Sequence, residues 1–238
     1  IKISGSIIED MPKKAPFFKD IIFYEKEFDG VMPLEIVIDT KKPKGALKSV
    51  TLKRIEELQE TIIEIPELSK PVSIVNLVKY SKQAYYNGNP EFYELPTKQE
   101  EAFILSYIKN STQKGNENML KSYVDSTGQY ARITTFMRDI GTDKMQKIEE
   151  RLQDKINHIF PKERYEVSLT GKAYVFEKGT HYLIDNLVQS LLFAIVLISL
   201  LMAYMFRSFK MIIVSLLPNI LPLVMTAGLM GFLGIPIK

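Results

Sequence analysis

LVQSLLFAIVLISLLMAYMF, from Leu187 to Phe206, is a run of 20 residues without a charged side chain. A helix rises about 1.5 Å per residue, so this run is long enough to cross a hydrocarbon core of about 30 Å. A second uncharged run follows from Met211 to Ile237. Cores of soluble proteins rarely contain uncharged runs of this length. The sequence therefore predicts two closely spaced transmembrane helices.

Charge divides the chain at the same place. The last acidic residue is Asp185, and the net charge of +3 comes from Arg207, Lys210 and Lys238. The residues up to Asp185 therefore carry no net charge. Nucleic-acid binding needs clustered basic side chains that neutralise phosphates, and this balance excludes it as an expected function.

The short segment between the two apolar runs sets the predicted orientation. Its charges are Arg207 and Lys210, and short basic loops stay in the cytoplasm. We therefore expect a multi-pass membrane protein with its large N-terminal domain on the non-cytoplasmic side, which is the periplasm if the membrane is a bacterial inner membrane.

The second run contains residues that are unusual in a simple membrane anchor. Pro218 and Pro222 each remove a helical hydrogen bond, which predicts a kink, and Asn219 places an amide in an apolar region. Three glycines recur at every third position: Gly228, Gly231 and Gly234. Glycines allow a neighbouring helix to approach closely. Either this helix moves beside a transport path, or it packs on neighbouring helices with Asn219 hydrogen-bonded across the interface.

The first 171 residues alternate between strand and helix patterns. Strands are predicted at Met32–Asp39, Pro71–Asn76, Gln129–Met137 and Arg164–Thr170. Helices are predicted at Pro16–Phe28, Ser49–Glu64, about 77–86, Thr97–Asn110 and Thr142–Phe160. This order indicates an α+β fold, a ferredoxin-like split βαβ sandwich with a helical insertion near its middle. From Lys172 the chain is expected to continue as one helix into the membrane.

These patterns predict the domain organisation. We expect an extracytoplasmic domain at 1–171, a linker helix that becomes transmembrane at 172–206, a cytoplasmic turn at 207–210 and a second transmembrane helix at 211–238.

Aromatic residues surround the Asn87–Pro90 turn. They are Tyr80, Tyr85, Tyr86, Phe92 and Tyr93. Aromatic side chains beside a loop can line a cleft for an apolar substrate, and Tyr85, Tyr86, Phe92 and Tyr93 are the candidate substrate contacts. The alternative is that they pack within the domain.

The sequence lacks the residue patterns of an enzyme. It contains no cysteine, and its two histidines, His158 and His181, are too far apart for metal-ligand spacing. Phosphate-binding glycine loops and nucleophile elbows are also missing. We expect no catalytic residues, cofactor or metal.

Several segments together resemble one half of a transporter of the resistance–nodulation–division (RND) superfamily. The segments are Phe28–Gly30 with Pro33–Ile38, Thr170–Gly171, Phe206–Arg207–Ser208, Leu217–Pro222 and Gly228–Pro236. The similar branch includes the mycobacterial large membrane proteins and Patched-like proteins. The resemblance implies a porter domain followed by two helices, with Arg207, Ser208 and Pro236 as part of the transmembrane motif.

The resemblance also implies a function. It predicts a fragment of a proton-driven exporter of lipids or hydrophobic small molecules, with the bilayer, the remaining transmembrane helices of the parent protein and a second copy as partners. In the family, ionisable residues in a fourth helix couple transport to protons, and no residue here takes that position. The alternative is a two-helix membrane sensor or interaction protein with an extracytoplasmic ligand-binding domain.

Overall fold

The computed structural model describes residues 5, 8, 11–112, 120–206 and 209–233. The fold is mixed α+β, with a three-stranded antiparallel sheet and two long apolar helices towards the C-terminus. The described residues divide into two compact units. One consists of Ile8–Ile140 and Lys147–Val175, and the other of the described parts of Ile1–Ile7, Gly141–Gln146 and Phe176–Lys238.

The sheet is built on a central strand. Strand β1 spans Met32–Asp39 and pairs antiparallel with β2, Tyr130–Met137, on one side and with β3, Glu166–Thr170, on the other. Alternate residues of β1 are buried, and Ile36 and Ile38 are fully enclosed. The strands predicted at Met32–Asp39, Gln129–Met137 and Arg164–Thr170 are confirmed to within two residues at their ends. In β1 and β2 buried residues alternate with more exposed ones, so one face of the sheet covers the core.

Seven helices of eight or more residues lie within the described part of the chain. They are α1 Pro16–Glu27, α2 Ser49–Ile63, α3 Ile74–Tyr85, α4 Glu101–Thr112, α5 Thr142–Ile159, α6 Lys172–Phe206 and α7 Phe209–Leu233. Helix α2 buries Leu52, Ile55 and Leu58, which share one face of the helix. Helix α5 buries an equivalent stripe that includes Leu152 and Ile156.

The strand predicted at Pro71–Asn76 is wrong. Leu68 and Val72 form only isolated antiparallel bridges to Met137 and Thr134 on β2. Helix α3 then begins at Ile74 because Ser73 forms a capping box. The Ser73 hydroxyl accepts the Val75 N–H at 3.0 Å, and the Asn76 side chain accepts the Ser73 N–H at 2.9 Å. These bonds satisfy amide groups at the helix start and end the extended segment early.

Two helix starts differ from the prediction. Helix α4 begins at Glu101 rather than Thr97. The Thr97 N–H and hydroxyl both donate to the Glu100 carboxylate, and the Glu101 N–H donates to the Thr97 carbonyl at 3.0 Å, so a turn that starts at Thr97 leads directly into the helix. Helix α7 begins at Phe209, so it already includes the last two residues of the turn predicted at 207–210.

Helices α6 and α7 are both long and apolar enough to cross a membrane. In the most apolar part of each helix, none of the side chains that the structure describes is buried. Phe193 is 69% exposed on α6, and Phe232 is 91% exposed on α7. The single continuous helix predicted from Lys172 is confirmed. Near its start Ala173 and Ile184 are buried, whereas most apolar side chains after Ile184 are exposed.

Candidate functional site

The predicted aromatic residues lie where α3 ends and the chain turns towards α4. Asn87 and Gly88 both have positive φ, at 56° and 80°, and reverse the chain after Tyr86. A short 3-10 turn at Pro90–Phe92 follows. This reversal places the Phe92 ring on the Tyr86 ring, with ring centroids 4.1 Å apart in a stacked arrangement.

The aromatic side chains form two groups. In the first group, Tyr85 contacts Tyr86 edge to face at 5.3 Å and also meets two residues of α4. Those residues are Phe103 at 5.1 Å and Tyr107 at 5.7 Å. In the second group, Tyr93 packs edge-on against Tyr80 at 4.8 Å. The structure thus brings Tyr85, Tyr86 and Phe92 together and places Tyr93 in a separate pair.

The two groups leave aromatic surface open to solvent. Tyr80 is 61% exposed and Tyr85 is 46% exposed, whereas Tyr86 and Phe92 are half-buried. The half-buried pair packs α3 against the turn that follows it. The exposed rings form a surface that an apolar or ring-shaped ligand could contact.

A buried lysine holds this region together. The Lys82 side chain is only 2% exposed, and its Nζ lies 2.8 Å from Glu100 Oε2 and 3.0 Å from Glu94 Oε1. The Tyr86 hydroxyl donates to Glu100 Oε1 at 2.9 Å. The two carboxylates come from the segment that connects α3 to α4, so the lysine fixes that segment on α3.

The charges of this cluster stabilise one another. The pKa of Glu100 is lowered to about 2, mainly by the hydrogen bond from Lys82 and, to a smaller extent, by the bond from the Thr97 N–H. Burial by itself would lower the pKa of Lys82, but the bonds to Glu100 and Glu94 outweigh burial and raise it. Both groups therefore stay ionised at neutral pH.

Sequence reasoning missed parts of this site. Phe103 and Tyr107 lie four residues apart on a predicted helix, and this spacing could have placed them on one face. Lys82 gave no comparable signal, because its partners are 12 and 18 residues away along the chain.

The structure describes only some of the residues that the sequence assigns to the transmembrane motif, the prolines, glycines and polar residues at and after Arg207. Pro218 and Pro222 lie inside α7, which continues through both. Gly228 is exposed, and a Cβ added there would meet no atom within 4 Å. Gly231 lies on the same helix and is also exposed. Arg207, Ser208, Gly234, Pro236 and the side chain of Asn219 lie outside the described residues.

No metal centre is formed by the side chains that the structure describes. Among those residues, no three His, Asp or Glu side chains come together in a way that could hold an ion. His181 lies 3.6 Å from Glu177 on α6, and His158 lies in the last turn of α5.

Comparison of the sequence with models of known protein families identifies the family of this chain. The sequence model of the MMPL family matches residues 80–235, well over half of the chain. The matched range starts on α3, includes the aromatic groups and the Lys82 cluster, and covers both apolar helices. No curated protein matches the chain in a sequence search.

Proposed function

Because this chain belongs to the MMPL family, the hydrophobe and lipid exporter branch of the RND superfamily, we propose that it is one porter domain and two transmembrane helices of a proton-driven exporter. Its cargo would be lipids or hydrophobic small molecules. Membership suggests an RND-type transporter and a membrane context. The members of this family are generally not enzymes.

The family match is the observation that carries this proposal. Its range, residues 80–235, begins in the folded domain and includes both apolar helices. The exposed apolar side chains of α6 and α7 support the proposal. Transfer of each large apolar side chain from water to an apolar environment is favourable by about 1.5–3 kcal/mol, so water is an unfavourable surrounding for them. Lipid and further helices of the same transporter are the partners that would cover them.

The sheet supports a ferredoxin-like porter domain. The isolated bridges at Leu68 and Val72 place this segment beside β2, where the fourth strand of such a sandwich would lie. The order across the sheet is then this segment, β2, β1 and β3, with every neighbour antiparallel. That order fits a split βαβ sandwich in which α4 belongs to a helical insertion.

The predicted boundaries and orientation form part of the proposal. The porter domain would occupy residues 1–171 in the periplasm, and residues 172–206 and 211–238 would cross the inner membrane. Residues 207–210 would form the cytoplasmic turn, with Arg207 and Lys210 as its basic anchors. A second copy of the chain could complete an oligomer.

Residues of the second helix would mediate packing and bending. The open space at Gly228 supports close approach of a neighbouring helix, and we assign the same role to Gly231 and Gly234. Pro218 and Pro222 would bend the helix. Asn219 would hydrogen-bond across the helix interface.

The aromatic groups would contact the cargo. Tyr85 and Tyr93 present exposed ring faces, and Tyr86 and Phe92 support the surface from below. Such rings supply apolar contact area with little loss of side-chain entropy.

Efflux of a hydrophobic dye tests the exporter function. Cells that carry the intact parent gene should expel N-phenylnaphthylamine faster than cells with the gene deleted, and a protonophore should abolish the difference. Gly228→Leu should remove efflux by blocking helix packing, whereas Val224→Leu, a conservative change on the same exposed helix, should not. Equal efflux with and without the gene would contradict the proposal and favour the sensor alternative.

A further inference from the structure

A cavity of about 850 Å³ opens beside α4 and is lined by none of the residues of the two aromatic groups. It lies between α4, the segment Lys44–Lys48 before α2 and the segment Leu120–Gly128 before β2. Sites for small molecules in proteins usually measure about 300–1,000 Å³, so this volume suits a ligand of that class.

The walls of the cavity are mainly apolar. Helix α4 supplies Ala102, Leu105 and Ile108, which are spaced three residues apart and therefore share a face. Leu47 and Val124 add apolar surface from the two other segments. An elongated apolar strip along one helix face suits an acyl chain better than a compact polar ligand.

The rim near α2 is basic. Lys44 and Lys48 both line the cavity, and both are exposed. Helix α2 begins directly after Lys48, without a side-chain cap and without an acidic residue in its first turn. The positive end of the helix dipole therefore lies next to Lys48 and is not offset by an acidic side chain of the first turn.

The acidic residues at the cavity do not cancel the attraction of the two lysines for an anion. The Asp125 carboxylate accepts the Thr127 N–H at 3.0 Å and the Tyr130 N–H at 2.8 Å, so it faces its own turn. Glu101 lies on α4, in the first turn of that helix, and not on the segment that carries Lys44 and Lys48. Lys121, which also lines the cavity, lies on the same segment as Asp125, whereas Lys44 and Lys48 lie on a separate segment that contributes no acidic lining residue.

Backbone hydrogen bonds hold the basic rim in place. The Lys44 N–H donates to the Thr127 carbonyl at 3.0 Å, and the Ala46 N–H donates to the Gly128 carbonyl at 2.9 Å. The two segments that form this end of the cavity are thus joined before any ligand arrives. Preorganisation of this kind lowers the entropy cost of binding.

We propose that this groove binds a long-chain carboxylic acid, with its carboxylate at Lys44 and Lys48 and its acyl chain along Ala102, Leu105 and Ile108. The inference rests on the proposed exporter function, for which it names the cargo class and a contact site. Binding is measured without transport, so its failure would leave the dye-efflux result untouched.

Photocrosslinking tests the site on the full chain in nanodiscs of zwitterionic lipid. The probe is palmitic acid with a diazirine at its far end, and hexadecanol with the same diazirine is the uncharged comparison. Mass spectrometry should locate palmitate adducts on peptides that contain residues 102–108 and 120–128, with weaker labelling by the alcohol.

Two pairs of variants separate the headgroup from the chain. The double change Lys44→Gln and Lys48→Gln should lower palmitate labelling about tenfold, the change expected if the lysines contribute about 1.4 kcal/mol together. Lys53→Gln, at an exposed position of α2 outside the groove, should not lower it. Ala102→Trp should block the groove, whereas Ala84→Trp on α3, also at an exposed position, should leave labelling intact.

Three results would overturn the proposal. They are equal labelling by acid and alcohol at the groove, labelling confined to α6 and α7, and labelling that persists in Ala102→Trp. Circular dichroism of each variant confirms that it is folded, and the two matched controls show whether a loss is specific to the groove.

Discussion

The sheet domain (the compact unit that contains the sheet, Ile8–Ile140 and Lys147–Val175) and the helices α6 and α7 are both rich in apolar residues, but they present these residues in opposite ways. In the sheet domain Ile36 and Ile38 are fully enclosed, whereas on the helices Phe193 is 69% exposed and Phe232 is 91% exposed. A water-soluble domain must bury such side chains, and a lipid-embedded helix need not. The difference shows that the two regions are built for different solvents.

The two regions also differ in their charged residues. The described sheet domain contains a lysine that is 2% exposed and paired with two carboxylates. The described part of α6 after Asp185 contains no charge at all. A buried charge is tolerated in the first region because it has partners.

The largest expected effect comes from removing the buried charge. Lys82→Met leaves Glu100 and Glu94 without their cation and should lower the free energy of unfolding by about 3–4 kcal/mol. Amide hydrogen exchange of α3 and α4 in the solubilised chain measures this loss. Lys79→Met, which removes a more exposed pair with Glu56, should cost less than about 1 kcal/mol. Equal effects of the two changes would contradict the assigned role of Lys82.

The next effect comes from adding a charge to the apolar region. Leu197→Arg places a cation near the middle of the uncharged run of α6 and should raise the free energy of membrane insertion by about 3 kcal/mol. Resistance to carbonate extraction measures insertion, and Leu197→Ile is the control. Unchanged extraction of the arginine variant would mean that this helix is not embedded in lipid.

A backbone position in the sheet domain should be nearly as sensitive. Gly171 has a φ of 98°, and a Cβ there would lie 2.6 Å from the Pro33 carbonyl oxygen on β1. Gly171→Ala should therefore cost about 2–3 kcal/mol. Gly179→Ala, on α6 with no atom within 4 Å of the added Cβ, should be neutral or stabilising. Thermal unfolding of both variants compares them, and a harmless Gly171→Ala would disprove the close approach.

The smallest effect concerns pH. The pKa of Glu100 is about 2 in the folded chain and about 4.3 in an unfolded one. The ionised carboxylate therefore contributes its full share of the folding stability when the pH is above about 4.3. About 2 kcal/mol of stability should be lost as the pH falls from about 4.3 to about 2, after allowance for solvent screening. Glu100→Gln should flatten this part of a stability–pH curve. An unchanged curve would show that other carboxylates cause the loss.

The sequence predicts those parts of the fold that depend on periodicity along one segment. The alternation of Leu34, Ile36 and Ile38 identified β1, and the stripe through Leu152 and Ile156 identified α5. The membrane-spanning part of α6 was predicted from the absence of charged residues between Leu187 and Phe206. Each of these signals lies within a single element, so no knowledge of neighbouring elements was needed.

The missed features depend on partners that are distant along the chain or on local competition. Val72 has a strand-like sequence around it, but the Ser73 capping box starts a helix immediately afterwards. Lys82 has the sequence context of a solvated helix residue, and only the fold brings Glu100 to it. The aromatic residues around Asn87 were predictable as a group, but Phe103 and Tyr107 joined them only through the packing of α3 on α4.

Cysteine accessibility tests the central claim, that the helices cross a membrane and leave the sheet domain in the periplasm. The chain has no cysteine, so Lys53→Cys on the sheet domain and Lys210→Cys at the start of α7 can each carry the only thiol. In intact spheroplasts a membrane-impermeant maleimide should label the position-53 variant, and it should label the position-210 variant only after the membrane is disrupted. Labelling at position 210 with protection at position 53 would contradict the orientation, and equal labelling of both would contradict the membrane crossing itself.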